Sequence, residues 1–467
     1  MASARGFTAL ISVAMLAACH GGDGGCLLGC PGTTYTLGGT VSGLVGSGLT
    51  LGNNNTPITT LGYSANGTYP AFATGYASGT AYNVTVIAQP TNPSQNCTVA
   101  NGVGTIDDAN VTNIGVTCMT NAAHFVYVTN SGSNNISGYD VDSTTGFLTP
   151  IGGMPVAAGS LPSAIAVDPT GSFVYVTNRG DGTLSAYTIN GGTGFLTPVA
   201  GSPYPLGVAP SSVAVDPSSS YVFATSSTTA TVSVFTIDSS SGALTAVNGS
   251  PFPTGAAPSS VTVGPVELAS VGSVFVANQN GATVSLYEFN TTNGALTLTS
   301  ASPLAVGPGP RAVVMDPSNQ YLYVANGASN SVSAFSQVND GGVFSVISGS
   351  PFNTGGTPYA LAVDSLDRYL FTANYASNNI SAYTLDAQTG VLTPVAGSPF
   401  ATGDTPTSVA IDPLDNFVLV TNSGSGTVSA FAISGTSGAL SPIAGSPFAA
   451  GNLPSAIAIS AGWNLPP

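Results

Sequence analysis

Phe125-Val-Tyr-Val-Thr-Asn130 is the first of seven versions of one phrase, and its recurrence decides the fold. It returns as FVYVTN at 173–178, YVFATS at 221–226, VFVAN at 274–278, YLYVAN at 321–326, YLFTAN at 369–374 and FVLVTN at 417–422. Successive phrases end 48 residues apart, except between Ser226 and Asn278, where the step is 52. In the second unit an alternating stretch follows, Thr183 to Ile189, then a run Phe195 to Val199 closed by Gly-Ser-Pro, then Ser212 to Asp216. Apolar residues at every second position read as strands, so each unit carries four short strands. A four-stranded sheet covers both its apolar faces only by stacking on neighbours, and a period of this length predicts one propeller blade per unit. Seven units predict seven blades. The first unit starts at its second strand and the chain ends with a lone first strand, Ser455 to Ile459, which is expected to complete the first blade and leave no free edge.

Only 5% of the 467 residues are charged, and Gly (59) and Pro (33) are abundant, a composition shared with disordered chains. Disordered chains are poor in aromatic and β-branched residues, whereas here Val, Ile, Tyr and Phe recur in period two, so an all-β fold is expected. There is no lysine; the basic residues are Arg5, Arg179, Arg311 and Arg368 against 19 acidic ones, for a net charge of −15. Nucleic-acid binding needs several phosphate-neutralising cations, and this inventory excludes it.

Arg5 precedes an apolar stretch, Phe7 to Ala18, too short for a permanent span and read as a signal peptide (1–18). Leu16-Ala17-Ala18-Cys19 resembles the lipobox of bacterial lipoproteins, which implies that Cys19 is diacylated and becomes the N-terminus. His20 follows where an Asp would retain an enteric-type lipoprotein at the inner membrane, so the resemblance implies an exported protein anchored at the outer membrane. Residues 19–32 form a lipidated, Gly-rich tether.

Residues 33–118 form a second β-rich module with strand candidates Tyr35–Val41, Leu49–Leu51, Thr68–Phe72, Tyr82–Ala88, Cys97–Ala100 and Val111–Cys118. A small immunoglobulin-like β-sandwich is expected, hinged at Met119 to Ala123 to a propeller over 122–460. Besides Cys19 there are four cysteines, which allow three pairings. Cys97 with Cys118 is favoured, since both lie in adjacent strand-like segments; Cys26 and Cys30 are the remaining disulfide candidates. Zinc is disfavoured by the spacing and by having only His20 and His124. No metal or cofactor is expected.

The repeat resembles the YVTN propellers of microbial surface proteins and the lactonase-type seven-bladed propellers that include 6-phosphogluconolactonases and carboxymuconate-lactonising enzymes. Taking the residue 33 positions after each phrase end gives one channel-mouth residue per blade: Ser163, Ser211, Ser259, Arg311, Tyr359, Thr407 and Ser455. Arg311 and Tyr359 break the pattern, and with Arg179, Thr407 and Ser259 they are the ligand-binding candidates. Gly309-Pro310-Arg311-Ala312 is similar to the Gly-Pro-Arg-His phrase of lactonase propellers. That resemblance implies a catalytic trio of an Arg, a Glu sixteen residues later and a His one blade earlier. Here Ala312 replaces the His of the phrase, the Glu position is Gly327, and Ser259 and Ser260 stand one blade earlier. Arg311 is therefore the sole catalytic candidate. Asn178-Arg179-Gly180 resembles another lactonase phrase, displaced along the chain.

Asp168, Asp216, Asp316, Asp364 and Asp412 are read as turn formers rather than calcium ligands. Asn130, Asn178, Asn278, Asn326, Asn374 and Asn422 end strands, and a ring of amides near a channel could also hold a polar ligand. His124 is expected at the rim opposite Arg311. The functional expectation is a lipid-anchored envelope propeller with a degenerate catalytic site, binding or scaffolding an envelope protein, a glycan or a small anionic ligand. The alternative is a lactone hydrolase or lactonising enzyme using Arg311.

Overall fold

The computed structural model describes residues 33–44, 48–62, 65–89, 95–120, 124–265, 271–339 and 342–460. The leader, the tether and Cys19, Cys26 and Cys30 lie outside the described residues. All regular elements among the described residues are strands, and the chain divides into two compact units between Thr120 and Asn121.

The larger unit is a seven-bladed propeller. In blade 2 the order from the channel outward is Pro162–Val167, Phe173–Asn178, Thr183–Ile189 and Leu196–Pro198, with Tyr204–Pro205 also paired to the third strand. The expected four strands are thus five segments, because the outermost strand is broken in every blade. The break falls at Gly-Ser-Pro, where Ser202–Pro203 is a cis peptide. At the break Ser202 Oγ accepts the Ala186 N–H at 2.9 Å, and Ser250, Ser302, Ser350, Ser398 and Ser446 repeat this contact. A hydroxyl thus stands in for the missing strand carbonyl, and the third strand keeps its N–H satisfied. Short, broken outer segments also make poor templates for edge-to-edge pairing.

The ring closes as expected: Pro454–Ile459 pairs antiparallel with His124–Asn130 in blade 1. The second strands are buried on both faces, since each is covered by the blades on either side; all six residues of Phe173–Asn178 are buried. The aspartate turns are confirmed. Asp168 Oδ1 accepts Ser172 N at 2.7 Å and Phe173 N at 2.6 Å, and Asp216, Asp316, Asp364 and Asp412 cap their turns in the same way. Blade 4 has Gly264 instead, and its longer step falls between Val263 and Val271.

The smaller unit is a sandwich of two four-stranded sheets. One runs Gly67–Tyr76, Tyr35–Ser42, Val111–Thr120, Gln95–Ala100; the other Thr56–Leu61, Leu49–Asn53, Ala81–Ala88, Val103–Thr105. Leu37, Leu49, Leu51, Val84, Ile114 and Val116 fill the space between them. The immunoglobulin-like expectation needs correction. In that fold the first strand pairs with the second, whereas here Tyr35–Ser42 lies between Gly67–Tyr76, antiparallel, and Val111–Thr120, parallel. Alternation and turn residues report how many strands there are; pairing depends on which apolar faces meet. Cys97 and Cys118 sit opposite one another on adjacent strands and form the favoured disulfide.

Candidate functional site at the channel mouth

Each inner strand begins where the second strand of its blade ends: Pro162 lies opposite Asn178. The loops entering the first and leaving the second therefore share one face, and the residue after the inner-strand proline sits at the mouth. In five blades that residue is a hydroxyl tying the ring together. Ser163 Oγ donates to Pro210 O of the next blade at 3.0 Å, Ser211 to Pro258 O at 2.7 Å, Ser259 to Pro310 O at 2.9 Å, Thr407 to Pro454 O at 3.1 Å and Ser455 to Pro162 O at 2.7 Å. Ser259 and Thr407, both expected to touch a ligand, thus have engaged hydroxyls that link blades.

Arg311 and Tyr359 cannot make this link, and they meet each other instead. The guanidinium carbon of Arg311, in blade 5, lies 4.9 Å from the Tyr359 ring centroid in blade 6, and Tyr359 lies 5.5 Å from the ring of Tyr375. A cation over an aromatic face is held by the ring quadrupole and stays available at its edge. The Arg311 side chain runs over Gly327: a Cβ there would come within 2.9 Å of its Cγ. Among the described residues Arg311 makes no salt bridge; the ion pairs formed are those of Arg368 with Asp364 and Asp415.

Tyr375 was not singled out from sequence, although the signal was there. The residues following the phrase ends are Ser131, Arg179, Ser227, Gln279, Gly327, Tyr375 and Ser423, and this second mouth position marks both Arg179 and Tyr375 as exceptions. Arg179 is exposed, with its backbone N–H on Leu161 O at 3.0 Å. It shares the face of Arg311 but stands in blade 2, so the two guanidinium groups are not neighbours. A mouth carboxylate was also missed: Asp404, in the loop entering blade 7, accepts Asn378 Nδ2 at 3.3 Å.

His124 opens the strand that ends at Asn130. Seven residues of strand span about 20 Å, which puts His124 at the opposite rim, as expected. It is buried, and burial holds its pKa below 6.5 although Asp412 and Asp140 pull the other way.

The asparagine ring does not offer its amides to a ligand. All six side chains are buried. Asn178 Nδ2 donates to Thr183 Oγ1 and Ser185 Oγ at 3.0 and 2.8 Å, and its Oδ1 accepts Gly159 N at 3.1 Å. A Cβ at Gly159 would lie 2.5 Å from the Asn178 amide carbon, so glycine is needed for this clamp. Nor do the aspartate turns assemble a metal site; among the described residues no group of three or more ligand-type side chains converges.

The fold finds parallels in known proteins. A protein of Bacteroides uniformis assigned to the 6-phosphogluconolactonases superposes with a TM-score of 0.62 at 19% identity, covering 72% of this chain and 99% of its own. The periplasmic gluconolactonase of Pseudomonas aeruginosa gives 0.61 at 20% identity, with 73% and 99% covered. Hydrazine synthase of Kuenenia stuttgartiensis gives 0.51 at 18%, with 66% and 92% covered, so the architecture also serves unrelated chemistry. No match was found among curated proteins. The family model described as lactonase, 7-bladed beta-propeller, matches residues 153–263 and 274–453, most of the ring and both sides of the Arg311 mouth. With seven blades, in-register Gly-Pro-Arg and this match in hand, the chain belongs to the lactonase-type family of seven-bladed β-propellers.

Proposed function

We propose that this propeller is an exported, lipid-anchored envelope protein that binds a small anionic ligand at its channel mouth and has lost the groups that open a lactone. The observation that carries the reading is Arg311, stacked on Tyr359 and without a salt bridge among the described residues. Gly327 stands where the family resemblance calls for Glu, Ser259 and Ser260 where it calls for a His one blade earlier, and Ala312 replaces the His of the Gly-Pro-Arg-His phrase. Arg offers a planar fork of donors suited to a carboxylate. Lactone opening also needs a proton donor or acceptor, and losing it removes about 10²- to 10⁴-fold in rate. The leader and Leu16-Ala17-Ala18-Cys19 support the anchor. A glycan or an envelope protein presenting a carboxylate would use the same donors.

A second reading, lactone hydrolysis with Arg311 and a replacement acid, is favoured by one observation: Asp404 shares the mouth face and bonds Asn378, three residues beyond Tyr375. A panel of gluconolactones and acidic sugar lactones, offered to residues 20–467, separates the two. The proposal expects no turnover above background and binding of the corresponding acids that Arg311→Ala abolishes. Turnover lost in both Arg311→Ala and Asp404→Asn would overturn it in favour of the hydrolase. Radiolabelled palmitate incorporated by the full chain but not by its Cys19→Ala variant is the expected result for the anchor.

A further inference from the structure

Blade 3 departs from the repeat at two buried positions, Phe235, which lines a cleft, and Ser226, whose position elsewhere clamps the equivalent of the cleft residue Ser233. In blades 1, 2, 4 and 6 the fifth residue of the third strand is a tyrosine whose hydroxyl donates to the outer strand of the preceding blade. Tyr139 reaches Ala449 O at 2.5 Å, Tyr187 Ala157 O at 2.9 Å, Tyr287 Pro253 O at 2.6 Å and Tyr383 Asn353 O at 2.6 Å. Blade 3 has Phe235, so the corresponding Pro205 carbonyl receives no such donor. Blades 5 and 7 also carry phenylalanine, Phe335 and Phe431, but keep their asparagine clamps, Asn326 and Asn422.

In blade 3 the clamp is missing as well. Ser226 occupies the asparagine position and turns its hydroxyl to Val208 O at 2.5 Å. Six blades place an asparagine amide on the third residue of the third strand. Ser233, the seventh such residue, has none. Gly207, at the glycine position that elsewhere packs on the amide, has open space where a Cβ would project. A cleft of about 330 Å³ lies between Pro205 and Leu206 of blade 2 and Ser233, Phe235, Leu244 and Pro251 of blade 3. Among the described residues no charged side chain lines it.

We propose that the junction of blades 2 and 3 binds a small uncharged phenol, its ring against Phe235, Leu206 and Leu244 and its hydroxyl donating to Pro205 O, with Ser233 Oγ as a second partner. The chemistry follows from the neighbouring junctions: a tyrosine hydroxyl fills the equivalent place in four blades, and a largely apolar cleft whose Pro205 carbonyl lacks that donor suits a ligand with one hydroxyl. The site is independent of the mouth, so Arg311→Ala should leave it unchanged.

Phenol titrated into residues 20–467, followed by calorimetry or ligand-observed NMR, tests this. The expected result is saturable binding, with toluene weaker by about ten-fold for want of the hydroxyl. Phe235→Tyr should weaken phenol by at least about ten-fold while raising Tm, because it restores the bond made in four other blades. Ser226→Asn, which rebuilds the clamp from the other side, should also weaken phenol. Absence of saturable binding to the unsubstituted protein, equal affinity for toluene, or undiminished phenol binding in both folded variants would overturn the proposal.

Discussion

Leu161 and Leu453 hold φ near +49° and +50°, a left-handed conformation that costs a branched L-residue about 1–2 kcal/mol. The repeat demands it: the residue before each inner-strand proline is left-handed in all seven blades, being Leu161, Ala209, Ala257, Gly309, Thr357, Thr405 and Leu453. The Leu161 N–H is held by Asn134 Oδ1 at 2.8 Å, while its side chain is 50% exposed and repays little of the strain. Asparagine accepts this conformation more readily, as Asn134, Asn330 and Asn378 do here. Leu161→Asn should therefore stabilise the propeller by about 0.5–1 kcal/mol in urea unfolding. A loss instead would show that the leucine makes apolar contacts that outweigh its strain. Asn178→Ala tests the clamp from the opposite direction: it strands Gly159 N and two hydroxyls in a buried site and should cost about 2–4 kcal/mol. The recurrence of asparagine was plain in the sequence, but its purpose was not. Only the packed fold shows that each amide lies against a glycine of the loop entering its blade's inner strand, which is why a mouth full of amides presents none of them.

Turns carry most of the propeller's charge, and its ion pairs among the described residues lie in blades 6 and 7. Arg368 bonds Asp364 Oδ2 at 2.7 Å and Asp415 Oδ2 at 3.4 Å, joining the inner turns of blades 6 and 7. Both carboxylates are buried while the arginine is one-third exposed. Arg368→Gln leaves two buried charges with weakened compensation and should cost about 1–3 kcal/mol, the lower end applying if water reaches the site. Beside them Asp367 is pushed up to about 6, first by burial and then by Asp316, although Ser318 bonds favour its charge. Its folded-state pKa lies above the ordinary 3.8, so the folded protein holds the proton more tightly and this group adds stability as pH falls from above 6 toward 4. Asp367→Asn should raise Tm at pH 7.5 and flatten that part of the pH dependence; an unchanged profile would place the titration elsewhere. The strands themselves were legible where the pattern is local: period two, phrase spacing and the lone last strand suffice for seven blades and their closure. Two things were not. The outer strand reads as one run because Gly-Ser-Pro looks like its end, when it is its midpoint. The sandwich's strand pairing is set by contacts far apart in sequence, and Thr56–Leu61 and Val103–Thr105 carry too little alternation to stand out.

At the scale of the molecule, the ring is held shut by a strand from the far end of the chain, and the stability of that seam should depend on pH through His124. His124 is the first residue of the buried strand His124–Asn130, onto which Pro454–Ile459 is laid. One residue on, Phe125 N donates to Ser460 Oγ at 2.8 Å and Ser460 N to Phe125 O at 2.8 Å, so the imidazole lies next to the last bonds of the closure. Burial depresses its pKa below 6.5, with Asp412 of blade 7 and Asp140 of blade 1 opposing that shift only in part. A depressed histidine pKa means that the unfolded chain takes up the proton first: stability is complete above 6.5 and falls as pH drops toward the folded-state value. This is opposite in sign to Asp367 and overlaps it in range, so the wild-type protein can show a shallow profile although both groups titrate. The variants separate them. In Asp367→Asn the acid loss due to His124 should no longer be offset by Asp367, with Tm falling between pH 7 and 5, though Asp140 and Asp412, both raised by burial, act in the opposite sense; in His124→Gln, an uncharged residue that keeps hydrogen-bonding capacity, Tm should instead rise over the same interval. Hydrogen exchange at Phe125 and Ser460 locates the effect, since loss of protection on acidification should begin at these amides in the Asp367→Asn protein and be absent once His124 is replaced. Uniform loss of protection over all seven blades would mean that the histidine acts on the whole ring rather than on its seam.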